Sequence, residues 1–205
     1  LLAACEDTEE VTTVDPHAQH MHEGHYYDNE QLTLQDNKGE QALSFPPILE
    51  PTSMDGNSVT YDLTAQQGKM TFIDDIETNT YGYNGDFLGP VIRLKQGQDV
   101  QINVKNELAE PTTFHWHGLE VAGDATDGGP HAVIEPGVTE QVQFTVNQQP
   151  ATLWYHPHPM GYTAKQVYNG LAGLLYIDDE NVDLPNDYAV NDFPLILQDR
   201  TFVNG

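Results

Sequence analysis

Cysteine is almost absent. The 205-residue chain carries one, Cys5, so no disulfide can close within it and no thiolate is available downstream for a soft metal. Positive charge is nearly as scarce: Lys and Arg number 7 against 32 Asp and Glu, a formal net charge of -25. A surface of that sign repels nucleic acid and anionic membrane. It also keeps an exported protein soluble and draws cations, and adaptation to a saline or acidic habitat would leave the same mark. Long apolar runs are missing as well, since nothing approaches the ~20 residues of a membrane helix. No segment repeats at a fixed period, and the length is large for one small domain and short for two.

The chain opens LLAAC, and its residues 2–5, LAAC, resemble the lipobox that ends a bacterial lipoprotein signal, where cleavage precedes the cysteine and its thiol is lipidated. Cys5 would then be a lipid anchor and the protein extracytoplasmic, in the periplasm or at the cell surface. A full signal needs a basic region and a longer apolar stretch ahead of the box, so the sequence reads as beginning inside such a signal; the alternative is a cysteine there by chance. Residues 1–41 are otherwise polar, acidic and poor in aliphatics, which predicts a disordered tether unable to bury enough apolar surface to fold alone. His17, His20, His22 and His25 with Met21 make a small tract of borderline and soft ligands inside it. Such a tract either collects copper and hands it on, or is a flexible spacer with weak affinity for metal.

From about residue 42 the texture changes. Short runs with strand alternation or β-branched content occupy 59–64, 69–73, 91–94, 100–104, 139–146 and 171–177, punctuated by Gly, Pro, Asn and Asp. Many short strands separated by turn signals predict an all-β, antiparallel sandwich over 42–180. The one helical turn expected is 163–168, closed by Asn169 and Gly170. Residues 181–191 read as a linker. The apolar run 193–197 then reads as the first strand of a second domain, so that 1–205 is expected to be a piece of a longer polypeptide.

Two H-x-H units dominate the chemistry: HWHG at 115–118 and WYHPH at 154–158. In a strand, side chains i and i+2 share a face, so His115 and His117 project together, as do His156 and His158. If the two strands lie side by side, four imidazoles converge. Imidazole suits copper, zinc and iron, and the neutral ring needs no balancing charge. A lone histidine beside a tryptophan is more often a hydrogen-bonded core residue, but four imidazoles packed together repel one another whenever protonated. A metal site is the reading that gives the cluster a purpose. Trp116 and Trp154 are expected to pack, and His131 has no ligand partner in the sequence.

HWHG, the following LEVAG (119–123) and DGGP (127–130), WYHPH and GLAG (170–173) closely resemble the N-terminal cupredoxin domain of bacterial multicopper oxidases, the group of periplasmic cuprous oxidases, laccases and bilirubin oxidases. YGYNG (81–85), LGPVIRL (88–94) and PLILQDR (194–200) match too, so the resemblance covers roughly 59–205. It implies a cupredoxin-like Greek-key β-sandwich. It further implies an enzyme of three such domains, in which a type 1 copper takes electrons from a small reducing substrate and a trinuclear cluster of one type 2 and two type 3 coppers reduces O2 to water. In that family four imidazoles of the cluster come from the first domain and four from the C-terminal one. By resemblance, His115 binds the type 2 copper, His117 and His156 share one type 3 copper, and His158 binds the other.

The same resemblance places a proton-supplying carboxylate after HWHG; Asp127 is the best positional match and Asp124 the alternative. The family's type 1 ligands, with their essential cysteine, lie in the last domain, so residues 1–205 alone are expected not to turn over. Other readings stay open: a non-catalytic copper- or zinc-binding module with four His around one ion, a copper-handling lipoprotein, or a cell-division relative that kept the fold, although such relatives typically lack the ligand histidines.

Overall fold

The computed structural model describes residues 43–202 other than Asp74 and Glu180. Cys5 and the histidines of 17–25 therefore lie outside the described residues. Among the described residues nine strands form, in chain order: β1 Ser53–Asp55, β2 Ser58–Ile73, β3 Ile76–Tyr83, β4 Ile92–Lys95, β5 Asp99–Asn106, β6 His115–His117, β7 Thr139–Thr145, β8 Ala151–His156 and β9 Gly173–Asp178. One sheet has the order β1-β2-β5-β7 with β3 also on β2; the other has the order β4-β9-β8-β6.

After the β2–β3 hairpin, successive strands alternate between sheets up to β8. Several neighbours within a sheet are therefore far apart in the chain, and two pairings are parallel, β2 with β5 and β4 with β9. The expectation of a purely antiparallel sandwich is corrected on that point. The β-sandwich itself stands, with Val59, Tyr61, Leu63 and Ala65 of β2 and Val100, Ile102 and Val104 of β5 buried at every second position.

Three further differences have local causes. The runs 59–64 and 69–73 join into the single long strand β2, because Ala65, Gln66 and Gln67 pair with Tyr83, Gly82 and Tyr81 of β3. β3 itself carries too few aliphatics to read as a strand, and only its last residues enter the core. Residues 193–197 form no ladder with any described strand; a strand exists by virtue of its partner, and apolar content alone supplies none. The helix expected at 163–168 is present as α2, Thr163–Asn169, and a short additional turn, α1, spans Asp124–Asp127.

The core meets the second sheet at Trp116, Tyr155, Tyr83 and Phe114, all fully buried. The Tyr155 ring lies across Gly173, its partner on β9, where a Cβ would sit 2.2 Å from Cζ; only glycine permits this approach. The Tyr155 hydroxyl donates to the Pro90 carbonyl at 2.7 Å, and burial pushes its pKa well up. Burial of aromatic and aliphatic side chains of this kind contributes about 1.5–3 kcal/mol each, and here it anchors the far side of β6 and β8. The near side is left for the histidines.

At the C-terminal end, Arg93 binds Asp178 at 2.7 Å and reaches Asp192 at 3.3 Å, tying the stretch after β9 back to β4. The Arg200 guanidinium lies among the rings of Phe72, Phe87 and Tyr168 at 4.7, 4.7 and 5.3 Å. The Thr201 amide donates to the Tyr168 hydroxyl at 2.7 Å. These contacts seat Leu197, Gln198 and Asp199 beside the histidines.

Candidate metal centre

β6 is the edge strand of its sheet and pairs antiparallel with β8 in the register His115 to His156, Trp116 to Tyr155 and His117 to Trp154. Alternation then sorts the side chains. Trp116 and Tyr155 turn into the core, while His115, His117, Trp154 and His156 share the opposite face. The ring of His115 lies 5.5 Å from that of His117, 5.2 Å from His156 and 5.3 Å from His158. Ring nitrogens of His115, His117 and His156 all fall within 4.8 Å of one another. His158 stands beside this group and outside it.

Hydrogen bonds fix which nitrogen each ring can offer. His115 Nδ1 is 2.9 Å from the Asp127 carbonyl and 3.2 Å from the Asp127 carboxylate, and both of these can only accept, so Nδ1 carries the proton and Nε2 is bare. His156 Nδ1 likewise donates to the Pro157 carbonyl at 2.8 Å, leaving its Nε2 bare. That Nε2 faces His117 Nδ1 at 3.1 Å. In the metal-free chain one proton between these nitrogens satisfies both; a cation could displace it. The separation also suits two ligands of a single ion, each ~2.0 Å from it. Burial pushes the His156 pKa down from 6.5 to about 4, with the other three imidazoles lowering it further and the Pro157 carbonyl opposing. At neutral pH the ring is therefore neutral and free to ligate. The donor set, all imidazole nitrogens on one strand face, fits copper or zinc.

Asp127 ends α1, and the tight approach of its loop is what brings it to His115. Gly128 follows at φ 71°, and a Cβ there would meet the Phe114 carbonyl at 1.8 Å, so the loop backbone lies directly on the start of β6. Asp124, at the other end of α1, is exposed, and His131 is exposed on a turn and joins no part of the cluster.

Two positions to which the sequence assigned no part in the site prove to touch it. Buried Thr113 accepts the backbone amide of His158 on its Oγ1 at 2.7 Å. Trp154 packs as expected, but on the ligand face: it is 36% exposed and stacks on His156 at 4.0 Å between ring centroids. Its position two residues before His156 was the signal, since that spacing assigns it to the ligand face. Trp116 does pack as expected.

An open cavity of ≈ 520 Å³ fronts the four histidines, walled by Thr163, Ala164, Val167 and Tyr168 of α2 and by Leu197, Gln198 and Asp199. α2 is held against the segment that leads into β6 by Gln166, fully buried and fully bonded. Its amide oxygen accepts from the Thr112 hydroxyl at 2.9 Å and its amide nitrogen donates to the Pro111 carbonyl at 2.8 Å.

A family model described as multicopper oxidase matches residues 54–182. The chain is similar to the multicopper oxidase mco of Staphylococcus aureus, 51% identical over 172 residues, which are 83% of this chain and 38% of the relative. It is also similar to the cell division protein FtsP of Escherichia coli, 38% identical over 168 residues, 80% of this chain and 35% of that protein. Among solved structures, a laccase from Pediococcus acidilactici aligns with TM-score 0.68 and 45% identity, covering 69% of this chain and 31% of that one. The chain thus spans about two fifths of the length of the first of these curated relatives.

Proposed function

The chain belongs to the multicopper oxidase family, and on that premise we propose that it is the N-terminal cupredoxin domain of an oxidase coupling one-electron oxidation of a small reducing substrate, phenol-like or cuprous ion, to reduction of O2 to water. The family implies copper. The observation that carries the reading is the convergence of four imidazoles across β6 and β8, with His117 Nδ1 and His156 Nε2 turned toward one another. His115 would serve the type 2 copper, His117 and His156 would share one type 3 copper, and His158 would serve the other; its standing outside the nitrogen cluster is in keeping with a separate ion.

Bound copper would supply the redox chemistry toward O2. The chain's own residues present bare ring nitrogens, orient two of them through Asp127 and Pro157, and wall the cavity with apolar side chains of α2. The Asp127 carboxylate, half-exposed and bonded to His115, is placed to hold and pass a proton at Oδ2, the acid-base role that reduction of O2 to water requires. Facing ligands and the type 1 site would come from C-terminal cupredoxin domains of the same polypeptide. Phe193, Leu195 and Leu197, exposed at 54%, 61% and 93%, offer those domains apolar surface. Residues 42–180 would be the first domain, 1–41 its tether and 181–205 the connection onward, with a lipid anchor at Cys5 holding the enzyme outside the cytoplasm.

Among the relatives is a cell division protein, and retention of all four convergent histidines favours the oxidase over a scaffold. The test is metal analysis with absorption spectroscopy of the full-length protein. An intense type 1 band together with copper in the cluster is the expected result. A protein that takes up a single zinc or copper ion and shows no such band would establish the non-catalytic module instead.

A further inference from the structure

Each imidazole of the converging group needs something to aim it. His115 is aimed by Asp127 and His156 by the Pro157 carbonyl. His117 has no such tie: among the described residues its ring bonds only to His156. What it has is Trp154, its direct partner across the β6–β8 ladder, 5.1 Å away at 32° between planes. The same indole stacks on His156 at 4.0 Å and 29°. One indole is therefore in contact with both rings. An imidazole turns easily about its outer torsion, which has broad wells, and a ring laid against it restricts that turning at small entropic cost.

We propose that Trp154 is a positioning residue that clamps His117 and His156 together, so that their facing nitrogens are set for one ion before any ion arrives. The inference rests on the reading of this pair as ligands. It also accounts for a large aromatic side chain left 36% exposed on the rim of the cavity, where a core role is ruled out by the strand's alternation. Preorganised donors bind more tightly because less motion is lost on binding.

The test is a Cu(II) titration of the metal-free chain, following the binding component that His156→Ala removes. Trp154→Leu and Trp154→Gln should weaken that component by ~10–100-fold, the usual effect of losing a supporting partner, with melting temperature unchanged. Trp154→Phe, which keeps a flat face, should stay close to wild type. Val167→Ala, on the same cavity wall without a stack, should change nothing. In the metal-free protein, the His117 ring signals in NMR should broaden in the Leu and Gln variants and stay sharp in Phe. If the Leu variant binds as tightly as wild type while His156→Ala has lost the component, the clamp is wrong and the ligand reading survives. If His156→Ala removes no component, the ligand reading falls and the clamp with it.

Discussion

The two H-x-H units look alike as text and are built differently. In the first, both histidines belong to β6 and are fixed by its ladder to β8. In the second, only His156 is in a strand: β8 ends there, because Pro157 has no N–H to continue the pairing. His158, beyond the proline, is held by its own amide on Thr113 Oγ1. The ladder-held His117 and His156 bring nitrogens to 3.1 Å, while His158 stays out of the 4.8 Å group. A spacing of two specifies which face a side chain takes; what supports it there is decided by the neighbouring strand or, failing one, by a single hydroxyl.

Substitutions can break that contrast. The largest effect is expected from His156→Ala, which removes a ligand from the ladder-held pair. Copper content at that pair in the full-length protein should fall by more than the ~10–100-fold typical of a supporting residue, with the type 1 colour retained; normal copper content and O2 reduction in this variant would end the assignment. Next, Asp127→Asn keeps the hydrogen bond to His115 but cannot exchange a proton. Reoxidation by O2 should slow by ~10²-fold with copper loading nearly unchanged, and Asp124→Asn, at the exposed end of α1, should be close to silent. Stopped-flow measurement of both variants decides between them, and the reverse order would move the proton carrier to Asp124. Thr113→Val tests the hydroxyl-held His158 alone: a loss near the ~10-fold lower bound should appear at one copper, leaving the His117–His156 pair untouched in a copper titration.

The smallest effect concerns acid. Because the folded chain holds His156 at about 4 against 6.5 unfolded, the unfolded chain binds the extra proton between those values, so stability falls as pH drops through that window. In the metal-free chain the loss should be on the order of 1 kcal/mol per pH unit at most, seen by chemical denaturation at stepped pH, and His156→Gln should flatten the slope.

The strand face of the site was legible because it depends on parity alone. His115, His117 and His156 take the positions that the two-residue period assigns, and the same rule applied to Trp154 would have placed it with them. The helix at 163–169 was legible from its closing Asn169 and Gly170. What was hidden depends on which strand comes to lie alongside. β3 is a strand because β2 runs past it, the parallel pairings follow from crossing between sheets, and 193–197 lacks a ladder because no described strand lies beside it. Thr113 escaped notice for the same reason, since its acceptor role appears only once β8 has brought His158 beside it.

The seat of Arg200 has a use outside catalysis. The chain holds only 7 basic residues, so trypsin has few bonds to cut, and at the bond after Arg200 the guanidinium that the protease must take up is stacked among Phe72, Phe87 and Tyr168. Cleavage there requires that side chain to swing out into the protease, which also lifts Leu197, Gln198 and Asp199 away from the histidines. The rate of that single cut therefore reports how often the cavity wall opens.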